Sequence, residues 1–559
     1  MLRAITVMSL MSGVVASLAL TGCGGGAAAC SGSENCGSPD VGSPDAAAAP
    51  GADASSVVKL LDAGSKDSRA SVDAGAREDA QVADDAGSAD AEVDSFVCDP
   101  TAAPSASACV ISDAYGVFVA PPTSGGSDTA GDGSEASPYA TISHALANLG
   151  GSNRVYICDG AYTDQITVTT AVSLFGGLTC GTVGAPGSAG PWAYVEGTKA
   201  SVSGSAPAFA LQLNAGGAAV DIEDLELDAA PGTSASPSSI AVFATSSTSV
   251  TMRRTTLVAA PGSQGASGSA GAMGAFTMPA SPNGLSAISP HAGGPSTTCT
   301  CSTGDSTVGG GGGWSLGVTP EGQPGLPAQT ASTPPSATGA GGTEAACTAR
   351  FAGGTVGSDA VPAIAPDAAA ALIAGTLDSA GWHPAPGEPG ADGGPGQGGG
   401  GGGGINAVAI GIAGGRAAGG GACGGCGGTG GGFGAGGGGS IALLAYESPV
   451  KLIAGTLTAS AGGAGGTGAA GGAGIAGGVG APAAYDACGG GDGGNGAAGG
   501  AGGGGAGGVS VGILYVGTAP VSDVVTHILA GTAGAGGAGG DPGMNAGVPG
   551  VSAATESAQ

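Results

Sequence analysis

The sequence predicts an all-β solenoid, a stack of short strands interrupted by long glycine-rich loops. Two stretches of alternating apolar and polar residues, 218–232 and 248–262, match at an offset of 30 residues and both end in Ala-Ala-Pro-Gly. Glycine is unevenly placed, with 4 in the 57 residues of 206–262 against 30 in the 53 residues of 387–439. A single repeat of this kind cannot bury its apolar face alone, whereas stacked repeats share one continuous core.

Composition excludes several classes of protein. Aspartate and glutamate outnumber lysine and arginine by 41 to 12, the net charge is −29, and aromatic residues make up only 3%. Such a chain offers neither a basic groove nor a stacking platform, so we expect no nucleic-acid partner. Collagen is excluded because glycine does not occupy every third position along the chain.

The N-terminus has the pattern of an export signal. Arg3 precedes an apolar run, 4–20, that is too short to span a bilayer, and Leu20-Thr21-Gly22-Cys23 follows. This arrangement resembles the lipobox of bacterial lipoproteins. The resemblance implies a signal peptide over 1–22 and a palmitate-type lipid anchor on Cys23. With Gly24 in place of aspartate, it also implies the outer membrane of a Gram-negative bacterium. The alternative is an ordinary secretion signal with an incidental cysteine.

Residues 23–95 have the composition of a disordered tether. From 24 to 100 there are 15 acidic and 4 basic residues among alanine, serine and glycine. Such a segment cannot bury enough apolar surface to offset the entropy lost on ordering. We expect an acidic spacer between the membrane and the following domain. No second apolar stretch of about twenty residues follows, so no transmembrane helix is predicted.

The segment 115–178 alternates strand patterns with one short helix. Ile142, Ala145, Leu146 and Leu149 form a helical stripe that ends at glycines, and apolar strand patterns lie on either side. This order resembles the N-terminal signature of right-handed parallel β-helix proteins of the pectate-lyase-like superfamily, more narrowly the DUF1565 type. The resemblance implies a right-handed parallel β-helix whose first coil is capped by the helix.

The remaining chain divides by composition. We expect N-terminal coils over 96–262, a Ser/Thr/Pro/Gly-rich insertion over 263–404 with one strand unit near 372–377, further coils over 405–530, and a disordered Gly/Ala tail over 531–559. The strand unit is assigned because Leu372–Leu377 matches Leu452–Leu457. The glycine tracts resemble PGRS-type surface proteins in composition only. They are either flexible or packed as extended glycine helices.

Cysteine usage indicates an oxidising compartment. Twelve cysteines remain after Cys23, an even number that favours disulfides in an exported chain: Cys30, Cys36, Cys98, Cys109, Cys158, Cys180, Cys299, Cys301, Cys347, Cys423, Cys426 and Cys488. The first six suggest the local pairs 30/36, 98/109 and 158/180, while the last six leave fifteen connectivities open. Cys423-Gly-Gly-Cys426 also has the spacing of a zinc knuckle or a redox pair. Structural disulfides are favoured over both.

One cluster of charged residues is the candidate functional site. Five acids lie on the first matched repeat and two arginines on the second: Asp221, Glu223, Asp224, Glu226, Asp228, Arg253 and Arg254. The 30-residue offset places Glu223 beside Arg253 and Asp224 beside Arg254. An exposed ion-pair ladder is favoured over a weak calcium site, and catalysis is the least favoured interpretation. No other cofactor is expected.

The leading functional hypothesis is a non-catalytic surface lipoprotein of the cell envelope. It would act as a scaffold for adhesion or for contact with extracellular glycans or envelope proteins, held to the membrane by its lipid. The alternative is a polysaccharide lyase or glycoside hydrolase of the pectate-lyase-like superfamily, with Arg253 or Arg254 as the base. No catalytic residue is assigned.

Overall fold

Three parallel β-sheets form the scaffold of the protein. The computed structural model describes residues 98–181, 191–205, 209–246, 249–279, 281–315, 321–327, 369, 371–405, 416–483 and 487–558. All of them belong to one compact unit, Val93–Gln559. The predicted all-β class is confirmed for these residues, since the one α-helix, α1, spans only Ile142–Ala147 beside two 3-10 turns, Ala108–Val110 and Pro122–Ser124.

Each of the three sheets is a ladder of parallel strands. Sheet 1 contains β1 (Val117–Val119), β2 (Arg154–Cys158), β5 (Val172–Thr179), β9 (Ala219–Glu223), β12 (Ser249–Arg253), β20 (Val450–Ile453) and β23 (Val521–Ser522), with β6 (Ala193–Tyr194) antiparallel to β5. Sheet 2 contains β3 (Gly160–Thr163), β7 (Ala200–Ser203), β10 (Leu225–Asp228), β13 (Thr256–Ala259), β21 (Thr456–Ala459) and β24 (His527–Leu529). Sheet 3 contains β4 (Ile166–Val168), β8 (Leu211–Asn214), β11 (Ser239–Thr245), β19 (Ser440–Tyr446), β22 (Ser510–Val516) and β25 (Ser552–Ser557).

The 30-residue repeat is the step from one turn of chain to the next. β9, β10 and β11 contribute one strand to each sheet, and β12, β13 and β19 do the same one layer further. Val220 lies opposite Val250, and Leu227 lies opposite Leu257. These inward side chains, with their equivalents on the other strands, form one buried apolar core between the three sheets.

Helix α1 covers the first turn of this core. Ile142 and Ala145 are fully buried, while Leu146 and Leu149 pack partly against the same core. Thr141 caps the helix by accepting a hydrogen bond from the His144 backbone N–H. Asp164 accepts bonds from both the backbone N–H and the hydroxyl of Ser143, which ties the helix to the turn below. The predicted cap helix is therefore present over a shorter span.

The glycine-rich tracts leave the scaffold at one repeated corner. The insertion 263–439 lies between β13 and β19, 462–508 lies between β21 and β22, and 531–550 lies between β24 and β25. In each case the chain passes from sheet 2 to sheet 3. Because those strands stack in register, the tracts start beside one another.

The tracts pack into a bundle of extended segments, so the alternative of packed glycine helices is the one observed. We call these the glycine segments: 263–274, 387–402, 419–438, 462–481, 488–508 and 534–540. In the central segment 419–438, every third N–H donates to segment 488–508, from Gly419 to the Cys488 carbonyl through Gly437 to the Ala506 carbonyl. A second set donates to segment 263–274, as Gly432 does to Ser269. A period of three residues is that of polyproline II, which has no internal hydrogen bonds.

Bare glycine backbone is required where the segments meet. A Cβ on Gly430 would lie 1.8 Å from the Gly390 carbonyl oxygen, and one on Gly472 would lie 1.8 Å from that of Ala272. No side chain fits at such distances, because even a close van der Waals contact needs well over 3 Å. Glycine therefore allows neighbouring backbones to approach closely enough to bond to each other.

Two disulfides join a small antiparallel sheet to the bundle. This sheet contains β14 (Phe276–Met278), β15 (Thr297–Cys301) and β16 (Ser306–Gly309). Its Cys299 pairs with Cys423, and its Cys301 pairs with Cys426. The two cysteines of the Cys-Gly-Gly-Cys motif thus bond to different partners, which accounts for both without a zinc knuckle or a redox pair.

Four other described cysteines agree with the predicted local pairing. The predicted disulfides Cys98–Cys109 and Cys158–Cys180 are confirmed, and Cys488 is also disulfide-bonded. Cys23, Cys30, Cys36 and Cys347 lie outside the described residues, as do the predicted signal peptide and tether.

The strand predicted near 372–377 is present, but it pairs differently from 452–457, and the predicted tail is not as expected. Leu372–Leu377 does not form a turn of the stack: it enters an antiparallel hairpin of β17 (Gly375–Asp378) and β18 (Gly381–Pro384) that covers the outer face of sheet 3. The tail predicted to be disordered over 531–559 is ordered where it is described. Gly534 and Gly537 donate to the segment 488–508, and β25 pairs with β22.

Adjacent glycines in one segment provide a matched test of the bundle. A Cβ on Gly393 would lie 2.2 Å from the Ala497 carbonyl oxygen, whereas one on Gly394 would have no atom within 4 Å. We expect Gly393→Ala to lower the free energy of unfolding by about 1–3 kcal/mol through overpacking. Gly394→Ala should be neutral, or stabilising by up to about 1 kcal/mol. Urea unfolding followed by circular dichroism measures both, and equal effects at the two positions would contradict the packing.

Candidate functional site

The predicted cluster of acids is divided between two sheets. Asp221 and Glu223 project outward from β9 in sheet 1, while Glu226 and Asp228 project outward from β10 in sheet 2. The intervening apolar residues face the core, as the alternation predicted. Asp224 occupies the corner between the two strands, with φ of 55°. The five carboxylates therefore do not converge on one point.

The acids pair with the arginines that the offset predicted. Glu223 lies opposite Arg253 in the strand register, with Oε1 3.3 Å from Arg253 Nε. Arg254 donates two bonds to Asp224, both 2.8 Å, and a third of 2.9 Å to Glu223 Oε2. Arg254 thus bridges both carboxylates in a bidentate geometry that a lysine could not reproduce.

The acidic partners are buried rather than exposed, which corrects the predicted ladder. The side chains of Asp224 and Glu223 are 2% and 8% exposed, against 32% and 40% for Arg254 and Arg253. The hydrogen bond from Arg254 to Asp224 raises the pKa of the guanidinium above its usual value. Since Arg254 is held protonated between two carboxylates, it is not available as a catalytic base.

Residues 98–111, the N-terminal loop, cover one side of the cluster. The Ser105 hydroxyl donates to Glu223, and the disulfide Cys98–Cys109 closes the loop. Arg154 anchors it from β2 by donating to the backbone carbonyls of Pro100 and Ala102. The Arg154 guanidinium also lies 4.7 Å from the centre of the Phe175 ring, a cation–π contact. The sequence analysis does not single out this residue, although a buried cation at the start of the strand pattern 154–158 is a signal.

A cleft of about 650 Å³ lies between the N-terminal loop and sheet 1. Its walls include Arg154, Phe175, Asp221, Glu223 and Arg253. Lys451 projects from β20 on the same sheet, one strand beyond Thr251, and is exposed. Of the six lysines and arginines in the described part of the chain, four therefore stand at this face or its corner. The cleft offers mixed charge to a polar ligand.

The acids of sheet 2 have different neighbours. Asp228 accepts a hydrogen bond from Ser201, and partial burial raises its pKa. Lys199, whose pKa burial lowers, donates to Thr256 and lies near Glu226. Among the described residues, the one close group of potential metal ligands is Cys158, Asp159 and Cys180. Its two cysteines are joined in a disulfide and so offer no thiolate. The five acids named as a weak calcium site are not gathered around one point, and the two that lie close, Glu223 and Asp224, share Arg254.

Comparisons found no match to a known protein family, to a curated protein or to a solved structure. Within the described ranges, no helix combines the length and the apolar character that crossing a bilayer requires. The resemblances to bacterial lipoproteins and to the pectate-lyase-like superfamily remain predictions.

The buried pair predicts unequal effects of neighbouring arginines. Removing Arg254 leaves Asp224 buried without its cation, so we expect Arg254→Ala to lower the free energy of unfolding by about 3 kcal/mol. Arg253 is more exposed and Glu223 keeps Arg254, so Arg253→Ala should cost less than about 1 kcal/mol. Chemical denaturation of the two variants tests this order, and similar losses would show that burial does not govern the cluster.

Proposed function

We propose that the protein is an exported, lipid-anchored scaffold of the cell envelope, without catalytic activity, that contacts extracellular glycans or envelope proteins. The observation that carries the proposal is a hydrogen-bonded glycine bundle held to a β-stack and cross-linked by disulfides. Four disulfides join described residues, and such bonds persist in oxidising compartments outside the cytoplasm. The lipobox-like Cys23 and the acidic segment 23–95 would place this body away from an outer membrane.

The proposed fold is a right-handed parallel β-helix capped by α1. Its support is the arrangement of three parallel sheets, each of which receives one strand from each turn of chain. Parallel strands joined by crossovers within one sheet are nearly always connected with right-handed sense. This architecture stacks identical corners, so it suits a protein that displays long insertions side by side.

A binding role is favoured over the alternative, a polysaccharide lyase or hydrolase. Arg254, one of the two bases considered, is committed to Asp224 and Glu223. The cleft on sheet 1 combines cations, carboxylates and Phe175, groups that suit contact with a polar polymer. The scaffold would use this cleft for contact without bond cleavage.

Metabolic labelling with palmitate tests the anchor. We expect the wild type to carry label and to fractionate with the outer membrane. Cys23→Ala should lose the label because the acylated sulfur is gone, and the protein should be released in soluble form. Cys30→Ala, a cysteine in the same segment, is the control and should keep the label. Label that persists in Cys23→Ala would overturn the lipid anchor.

Incubation with polygalacturonate and alginate tests the absence of catalysis. We expect no unsaturated uronide in the ultraviolet absorbance, because both arginines considered as bases are paired with carboxylates. Product release by the wild type that is lost in Arg253→Ala, with the fold intact by circular dichroism, would instead establish a lyase. Lys451→Ala is the control on the same face, outside the paired cluster.

A further inference from the structure

A second cleft, of about 710 Å³, lies on the glycine bundle at a distance in sequence from the cluster on sheet 1. Its walls carry Trp314, Glu321, Gln323, Ser296 and Ile288, and glycines and two prolines supply the rest. The function proposed above does not use it. A large aromatic ring beside a carboxylate, an amide and a hydroxyl is a combination found in ligand pockets.

Trp314 is the exposed tryptophan of the protein. Trp192 is buried and donates to the Glu135 carbonyl, and Trp382 packs in the hairpin on sheet 3. The side chain of Trp314 is 54% exposed. An exposed indole gains free energy when a ligand covers it, so Trp314 is the residue of the cleft best suited to hold one.

The backbone on both sides of Trp314 is fixed. The Gly313 N–H donates to the Gly402 carbonyl in a glycine segment, and the Ser315 N–H donates to the His291 carbonyl. Ser315 is buried, and its hydroxyl lies 2.9 Å from His291 Nδ1. The backbone that carries the indole is thus hydrogen-bonded on both sides, which lowers the entropy lost on binding.

Gly311 lines the cleft beside Gln323. A Cβ on Gly311 would approach Gln323 Oε1 at 3.3 Å, with the next atom at 3.5 Å, whereas most bundle glycines meet a carbonyl near 2 Å. The backbone of Gln323 donates to the Gly311 carbonyl and accepts from Gly401, so its amide side chain is anchored in the cleft. Gly311 is thus less crowded than the glycines inside the bundle.

We propose that this cleft binds an uncharged sugar ring of a glycan. The ring would stack on Trp314, and its hydroxyls would bond to Gln323, Glu321 and Ser296. Sugars present one apolar face and many hydroxyls, which match an indole beside amide and carboxylate groups. Glu321 is the one charged group on the walls, and the chain carries −29, so anionic glycans are disfavoured. The proposal deepens the glycan-contact role and rests on it.

Calorimetric titration of the full exported chain tests the site, with cellohexaose and maltohexaose as neutral probes and a galacturonate hexamer as the anionic one. We expect a neutral probe to bind and to shift tryptophan emission to the blue, since Trp314 leaves water. Trp314→Ala should weaken the binding roughly tenfold or more, and Trp314→Phe should restore most of it because a stacking ring remains. Gln323→Ala removes only the amide and should also weaken binding.

Phe433→Ala is the matched control, because Phe433 is another exposed aromatic on the bundle. It should bind as the wild type does. The proposal is overturned if neither neutral probe binds, if only the galacturonate hexamer binds, or if Trp314→Ala binds unchanged. If the wild type carries no palmitate label but binds the sugar, only the lipid anchor is refuted. If the wild type carries the label but binds no sugar, only the proposed site at the cleft is refuted.

Discussion

The close approach of bare backbones governs this structure. At Gly430 and Gly472 the neighbouring carbonyl oxygen occupies the space that a Cβ would need. Extended segments without internal hydrogen bonds must find partners outside themselves, and here each finds them in adjacent segments. Glycine is usually associated with flexibility, and ordering it is entropically costly. In this protein it permits a dense hydrogen-bonded bundle that larger residues would hold apart.

The β-stack aligns these glycine segments beside one another. A lone glycine chain has no apolar surface with which to collapse, so its alignment must come from elsewhere. Each insertion begins after a strand of sheet 2 and returns to a strand of sheet 3, and the strands are in register. Two cross-links, Cys299–Cys423 and Cys301–Cys426, then fix the outer part of the bundle to β15. The scaffold supplies the register, and the disulfides retain it.

Sequence reasoning succeeded where one local pattern determined the outcome. The offset between 218–232 and 248–262 predicted both the strand register and the partners of Glu223 and Asp224. It failed where the outcome depended on a third element. Glu223 is contacted by Ser105 of the N-terminal loop, and Asp224 lies beside Tyr194 and Gly177, none of which the repeat encodes.

The hexapeptide shared by Leu372–Leu377 and Leu452–Leu457 shows the same limit. Leu452 is fully buried in the stack, while Leu372 is 80% exposed at the start of a hairpin. The same six residues form different structures because only the second copy pairs with parallel strands on both sides. The cleft at Trp314 could not be predicted from the sequence either. Its lining residues come together only through the packing of segments that are far apart along the chain.

The three-residue period of the bundle also sets which length changes its segments can accept. Adding three residues to a glycine segment completes one further turn and returns every donor to the same side. Adding one or two rotates all following donors away from their acceptors, by about a third of a turn per residue. The glycine segments can therefore change length only by multiples of three residues, so the bundle lengthens in whole turns.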